Sequence, residues 1–246
     1  MKAFIVAAGL GTRLRPLTNT VPKCIIDIGG HPLLWYHVMQ LKHHGITDIW
    51  INTHWLADQV SEFFGDGSKF GVKISYSHEK ELLGTSGALT NPDSEIYQAF
   101  SEEKEFLVIY GDNLTNFNYS NFIDFSRSKN CTMCIAVNHS EEPWTKGVIE
   151  IDSDSRITRM VEKPPKEEVK SDLTNAGVYF CTPPVLEAIP AGFSDFASDI
   201  IPGLMTDNNS LFAYVMDEYL QDTGTPERYA KAQSDLPGVE FPFQSK

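Results

Sequence analysis

Two glycines and three cations gather near the start of the chain, in Gly9-Leu10-Gly11-Thr12-Arg13-Leu14-Arg15-Pro16-Leu17-Thr18 and at Lys23 after Pro22. Glycines at 9 and 11 let the backbone turn tightly and bring N–H groups of the loop, those of Ala8 and Thr12 included, up to phosphate oxygens. A triphosphate would meet backbone donors and cations together there, and Arg13 is placed to stabilise charge gathering on a phosphorus centre under attack. The bland reading of the same stretch is a tight strand exit with solvated arginines. Leu14 stands where a dinucleotide-binding GxGxxG loop has its third glycine, and no lysine follows a GxxxxG spacing. Neither of those phosphate loops is present.

The acids that could hold a cation lie far away in sequence. Asp112 follows the apolar run Phe106 to Tyr110, where open α/β sheets put their ligands, and a carboxylate there suits Mg²⁺. Asp222, in Gln221-Asp222-Thr223-Gly224-Thr225-Pro226, is the partner such a site needs; its other reading is a cap for the turn before a helix opened by Pro226. Glu162-Lys163-Pro164 pairs a carboxylate, which accepts sugar hydroxyls, with an ammonium, which meets a phosphate; a surface ion pair is the alternative. Asn175-Ala176-Gly177 offers an amide for a hydroxyl and room for a ring. Glu79 and the segment Leu83-Gly84-Thr85-Ser86-Gly87 suit a flat base or a ribose, with Glu79 accepting from a guanine edge or standing as an exposed charge.

Alternating elements must position these groups. Lys2 to Ala8 reads as a buried strand, Leu33 to His44 as a helix capped by Gly45, Asp48 to Asn52 as a strand and Ala57 to Phe64 as a helix. Strands follow at Lys73–Ser77 and Phe106–Tyr110, and this order implies a mainly parallel sheet covered on both faces. Beyond Asp112 the texture changes, with strands expected at Cys131–Val137, Gly147–Ile151, Ile157–Val161, Ala176–Phe180 and Leu211–Val215. Helices at Ser120–Ser128, Ser198–Met205 and Pro226–Ser234 interrupt them. One catalytic domain is expected over residues 1–234, with 235–246 a loose C-terminal tail.

The chain has 246 residues and a formal charge of −13, which argues against a nucleic-acid partner but not against a nucleotide held by local cations. No run approaches the ~20 apolar residues that span a bilayer, and Gly9 ends the first apolar run too early for a signal peptide. A cytoplasmic protein is expected, with Cys24, Cys131, Cys134 and Cys181 reduced and structural. The Cys131/Cys134 pair lacks the second pair that a zinc site needs.

In order along residues 1 to 234, these motifs resemble the sugar-1-phosphate nucleotidyltransferase family. The match runs through the 9–18 loop, Pro22-Lys23, Gly29-Gly30-His31-Pro32-Leu33, Gly84-Thr85-Ser86-Gly87, Gly111-Asp112-Asn113, Glu162-Lys163-Pro164, Asn175-Ala176-Gly177 and Asp222 to Pro226. The resemblance implies a Rossmann-like three-layer α/β/α sandwich with a mostly parallel central sheet and a mixed α/β sugar-binding extension. It implies that the oxygen of a sugar 1-phosphate attacks the α-phosphate of a nucleoside triphosphate and releases pyrophosphate. Arg13, Lys23 and Asp112 would then be catalytic, and Asp112 and Asp222 would hold Mg²⁺. Ala8, Gly9, Gly11, Thr12, Arg13, Glu79, Gly84 and Thr85 would bind the nucleotide; Gly147, Glu162, Lys163, Asn175 and Gly177 would bind the sugar phosphate. Leu220 replaces the tryptophan that many members carry before the second aspartate, and no C-terminal left-handed β-helix is carried over.

Within the family, Ser77-His78-Glu79 with the Leu-Gly-Thr-Ser-Gly run looks most like guanylyltransferases acting on mannose or heptose 1-phosphate. Ile51 to Leu56 and Gly65 to Ser68 look instead like short uridylyltransferases for N-acetylmuramate 1-phosphate, and Gly111-Asp112-Asn113 and Trp35 have echoes among thymidylyl- and cytidylyltransferases. Phosphocholine is a further acceptor to weigh. A non-catalytic nucleotide-sugar-binding regulator is disfavoured because Arg13, Lys23, Asp112 and Asp222 are all present. An NAD-binding oxidoreductase fails at Leu14. The expected state is a monomer or homodimer.

Overall fold

A computed structural model describes residues 1–90, 94–207 and 209–244. In chain order its elements are β1 (Lys2–Val6), β2 (Asp27–Ile28), β3 (His31–Pro32), α1 (Leu33–His43), β4 (Asp48–Thr53), α2 (Ala57–Phe64), β5 (Lys73–His78), α3 (Glu95–Ser101), β6 (Phe106–Tyr110) and β7 (Asn113–Thr115). There follow α4 (Tyr119–Lys129), β8 (Met133–His139), β9 (Gly147–Ile151), β10 (Ile157–Glu162), β11 (Leu173–Cys181), α5 (Pro183–Glu187), α6 (Ile201–Thr206), β12 (Leu211–Val215), β13 (Leu220–Asp222) and α7 (Pro226–Asp235). Within the span expected for one domain the chain groups into two compact units: residues 2–82, 109–119 and 218–246 in the first, and residues 1, 83–108 and 120–217 in the second.

The first unit carries a parallel sheet. β1 runs beside β4 with Lys2 opposite Asp48 and Ile5 opposite Ile51, and β4 runs beside β5 from Asp48/Lys73 to Thr53/His78. Ala3, Phe4, Ile5, Ile49 and Ile51 are fully buried, as expected of strands whose every residue is covered. Helix α1 ends where Gly45 adopts the left-handed conformation and Ile46 N–H reaches back to Leu41. A second core joins Leu14, Ile26, Ile28, Leu33, Tyr36, Leu114, Ala232 and Phe241. That cluster corrects the expectation of a loose tail. Phe241 is 2% exposed, Phe243 packs edge-on against Trp35, and Asn116 donates to the Glu240 carbonyl.

The second unit holds the mixed sheet. β10 pairs with β9 and β11 with both β9 and β8, all antiparallel, while β12 lies parallel to β8. Here β8 starts two residues later than Cys131, because the Thr132 N–H turns to the Ser210 carbonyl. The helix expected at Ser198–Met205 is a π-turn over Phe196–Ile200, capped by the Asp195 carboxylate, that leads into α6. All four cysteines are free and buried. Both units are therefore α/β, the first with the parallel sheet and the second with the mixed extension. No helix among the described residues is long and apolar enough to cross a membrane.

Candidate active site

In the first unit β1 stops at Val6, and the Ala7 N–H leaves the ladder to donate to Asn52 Oδ1 at 2.5 Å. The N–H groups of Ala8 to Gly11 have no protein acceptor among the described residues, so they are open to solvent or to a ligand. Ala8 is buried, while Gly9, Thr12 and Arg13 are exposed. Gly11 has φ +61°, and a Cβ there would lie 2.9 Å from Thr18 Cγ2 and 3.0 Å from Lys23 Cβ, so no other residue fits this turn without displacement. The Thr18 hydroxyl locks it, donating to the Gly11 carbonyl at 2.7 Å. Leu14 is 3% exposed and belongs to the second core, which is why this loop has an apolar anchor where a dinucleotide loop has a glycine.

The charged groups converge on Lys23, which is 8% exposed. Its Nζ lies 2.5 Å from Asp112 Oδ2 and 3.8 Å from Asp222 Oδ1. What joins the two aspartates is the small antiparallel pair of β7 and β13, in which Asp222 stands opposite Asn113, the neighbour of Asp112. Thr223 ties the pair from its own side, its N–H and hydroxyl both donating to the Asp112 carbonyl at 3.1 and 2.9 Å. Asp222 also does what its bland reading expected: Oδ1 accepts from Gly224 N–H at 2.6 Å, and Thr225 caps α7. Its Oδ2 takes the Arg228 guanidinium. A Cβ on Gly224 would lie 2.8 Å from Asp222 Oδ1, 3.2 Å from Arg13 Nη2 and 3.3 Å from Lys23 Nζ. Gly224 thus marks the point where Arg13, Lys23 and Asp222 meet.

Burial would raise the Asp112 carboxyl, but the Lys23 ammonium outweighs it and holds Asp112 below the ordinary aspartate value. Asp112 is therefore an anion at neutral pH, as a metal ligand must be. No group of three or more His, Cys, Asp or Glu side chains that could hold a metal ion exists among the described residues. Two carboxylates completed by waters and phosphate oxygens suit Mg²⁺, which seldom takes an all-protein cage. Behind the site, burial pushes His37 down to about 4 and the Cys24 thiol up to about 12, so both are neutral.

Glu79, also in the first unit, is 3% exposed and is not a surface charge. Its Oε1 accepts from Asn52 Nδ2 at 2.7 Å.

In the second unit the Gly84 to Gly87 segment is packed for a reason internal to the fold. A Cβ on Gly84 would lie 2.2 Å from the Ser194 carbonyl oxygen, and one on Gly87 2.2 Å from that of Gly192. The backbone that approaches these glycines is the protein's own. The Thr85 hydroxyl donates to Asp195 at 2.8 Å and accepts from Phe196 N–H at 2.9 Å.

The expected sugar-phosphate residues of this unit do come together. Gly147 and Glu162 are opposite each other across β9 and β10, and a Cβ on Gly147 would lie 2.8 Å from Glu162 Oε2 and 3.5 Å from Asn175 Cβ. Lys163, at φ +46°, turns its Nζ to within 3.0 Å of Glu162 Oε1. The Asn175 amide accepts from Gly177 N–H at 2.9 Å and donates to the Tyr179 hydroxyl at 2.7 Å, and Gly177 has φ +72° at the irregularity in β11. A carboxylate, an ammonium and an amide thus gather around Gly147, where a side chain would not fit.

Sequence reasoning passed over two residues of the first unit. Arg228 carried a signal, a cation in the first turn of a helix that starts just after an acid. Asn52 carried only its place at the end of a strand and within the family-like segment Ile51 to Leu56.

Comparison with known proteins gives the family. The sequence family described as nucleotidyl transferase matches residues 2–238. A mannose-1-phosphate guanyltransferase beta-B of Xenopus laevis is 33% identical over 232 residues, covering 93% of this chain and 62% of that protein. A UTP–glucose-1-phosphate uridylyltransferase of Synechocystis sp. is 32% identical over 262 residues, covering 98% and 67%. The chain thus spans about two thirds of the length of these curated relatives. HddC from Yersinia pseudotuberculosis, solved in complex with GMP-PN, superposes with a TM-score of 0.77 at 28% identity, covering 96% of this chain and 99% of that one. The fold is the Rossmann-like α/β class of solved nucleotidyltransferase structures.

Proposed function

Because the chain belongs to the nucleotidyl transferase family, we propose that it joins the nucleotidyl group of a nucleoside triphosphate to a sugar 1-phosphate. An oxygen of the sugar phosphate forms a bond to the α-phosphorus, the bond from that phosphorus to the β-phosphate bridge breaks, and pyrophosphate leaves. The observation that carries this reading is the meeting of Arg13, Lys23 and Asp222 at Gly224, with Asp112 on Lys23. No nucleophilic side chain is needed: positioning and charge neutralisation suffice.

The N–H groups of Ala8, Gly9 and Gly11 cradle the triphosphate, and Arg13 and Lys23 steady charge at the α-phosphate as the leaving group departs. Asp112 and Asp222 would hold Mg²⁺, which would supply Lewis-acid neutralisation of phosphate oxygens when bound. Glu162, Lys163, Asn175, Gly147 and Gly177 take the sugar phosphate.

For the substrate, our reading is guanylyl transfer to mannose 1-phosphate or heptose 1-phosphate. The guanyltransferase relative and the run from Ser77 through the Leu-Gly-Thr-Ser-Gly segment support it. A second reading, uridylyl transfer, is favoured by the comparable identity to the glucose-1-phosphate uridylyltransferase. The working compartment is the cytoplasm. A pyrophosphate-release screen of GTP, UTP, CTP, ATP and dTTP against a panel of sugar 1-phosphates with Mg²⁺ decides between them. Turnover restricted to GTP with mannose or heptose 1-phosphate is expected. Activity with UTP alone would replace our choice by the second reading, and silence with every pair would remove the transfer reaction.

A further inference from the structure

The loop that would cradle the phosphates is anchored from inside the first unit by two buried polar side chains. Asn52, on β4, is 0% exposed and Glu79, just past β5, is 3% exposed. Asn52 Oδ1 accepts from the Ala7 N–H at 2.5 Å, and Asn52 Nδ2 donates to Glu79 Oε1 at 2.7 Å. The two ends of an amide are not interchangeable: an oxygen must face the N–H and a nitrogen must face the carboxylate. Glu79 therefore sets the orientation of Asn52, and Asn52 sets the point at which β1 gives way to the loop. The main chain holds Glu79 in register, its N–H donating to the Thr53 carbonyl at 2.8 Å, with His54 Nδ1 2.8 Å from its carbonyl oxygen.

Ala7 is the last residue before the run of N–H groups, Ala8 to Gly11, that lack an acceptor among the described residues. Turning the Ala7 N–H inward fixes where the outward donors begin. We infer that Asn52 and Glu79 are positioning residues for the phosphate loop, and that Glu79 acts through Asn52 rather than by touching the base. This rests on the transferase reading and changes one part of it, the place of Glu79 at a guanine edge.

The test uses the full chain, with folding checked by circular dichroism. Glu79→Ala lowers kcat/KM by ~10- to 100-fold, the scale of a slightly misplaced reacting group, for each triphosphate the wild type uses. The ratios between triphosphates stay within about threefold, and KM for the sugar 1-phosphate stays within about twofold, both far inside the tenfold that ~1.4 kcal/mol produces. Asn52→Asp keeps the shape but faces Glu79 with a second acceptor, so it loses activity to a similar degree. Adding Glu79→Gln to Asn52→Asp restores the pair with donor and acceptor exchanged, and recovers at least about tenfold. A residue needed only for volume would not show that rescue.

A base preference shifted more than about tenfold by Glu79→Ala would place Glu79 on the base and overturn the inference, as would a silent Glu79→Ala or a double variant no better than Asn52→Asp. Calorimetric titration with GTP and UTP separates the two readings. A wild type that binds triphosphate without turning over any sugar 1-phosphate overturns the transfer reaction, and the same variants are then ranked by dissociation constant.

Discussion

Lys23 presents one ammonium to two carboxylates, 2.5 Å from Asp112 and 3.8 Å from Asp222, from a side chain that is only 10% exposed. Two acids brought this close repel each other unless a cation lies between them. Lys23→Met removes that cation, the main influence that holds the Asp112 carboxyl down against burial. Turnover should fall by ~100-fold or more, the range seen when one oriented charge stabiliser is lost, measured as pyrophosphate release at saturating triphosphate. Wild-type turnover in Lys23→Met would remove it from the chemistry. Gly224→Ala probes the same point by volume. Its Cβ would press on Asp222 Oδ1 at 2.8 Å and on the Arg13 and Lys23 tips at 3.2 and 3.3 Å. Those are ends of side chains, so the fold absorbs the methyl while the constellation shifts: kcat should drop by ~10-fold or more with the thermal midpoint almost unmoved. A midpoint that falls in step with kcat would make Gly224 a structural residue instead.

At the scale of elements, the Gly84 to Gly87 segment makes the opposite prediction. Here the added methyl of Gly84→Ala would meet backbone, the Ser194 carbonyl oxygen at 2.2 Å, at a φ of +79°. Backbone cannot swing aside, so this variant should lose ~1–3 kcal/mol by urea denaturation. An unchanged urea midpoint would mean that residues 192–195 give way freely. Phe241→Ala, emptying the second core, should cost ~3–5 kcal/mol in the same measurement, and a loss under ~1 kcal/mol would restore the view of this end as a tail. These elements also show what a sequence discloses. The strands Lys2–Val6 and Phe106–Tyr110 were legible because a covered parallel strand is a continuous apolar run. β7 and β13 were not, since three residues each are too few to show a period, yet their pairing is what brings Asp112 to Asp222. The glycines of the 9–18 loop announced a tight turn, but only tertiary contact shows that Gly11 is demanded by Thr18 and Lys23. Phe241 and Phe243 flank a proline in no repeating pattern, so nothing in their spacing reveals that they reach Tyr36 and Trp35.

Over the whole molecule the charge of −13 and the buried histidine pull stability in opposite directions as the solution is acidified. Protonating surface carboxylates relieves self-repulsion and favours the compact state. His37 acts against it. Burial holds its folded pKa near 4, against 6.5 in the open chain, so between those values the unfolded chain binds a proton that the folded one refuses. A state that binds more protons gains as pH falls, and stability is therefore lost on going from pH 6.5 towards pH 4, by ~3 kcal/mol at most for His37. His44 is also pushed to about 4, by burial and by His43, and adds a smaller part because it is only half-buried. Asp112 has the same sign in a lower window: its carboxyl is held below the open-chain 3.8, so its contribution is present above that value and disappears only as pH falls through its folded pKa. The histidine window thus lies above that of Asp112, with relief of the surface charge as the opposing effect inside it. Urea unfolding at pH 7, 6, 5 and 4.5 should show a free energy that declines below pH 6.5, and His37→Gln should flatten that decline. A wild type whose stability rises steadily across this range would mean that relief of the negative charge dominates. A His37→Gln slope equal to that of the wild type would mean that His37 is protonated, or reached by water, in the folded protein.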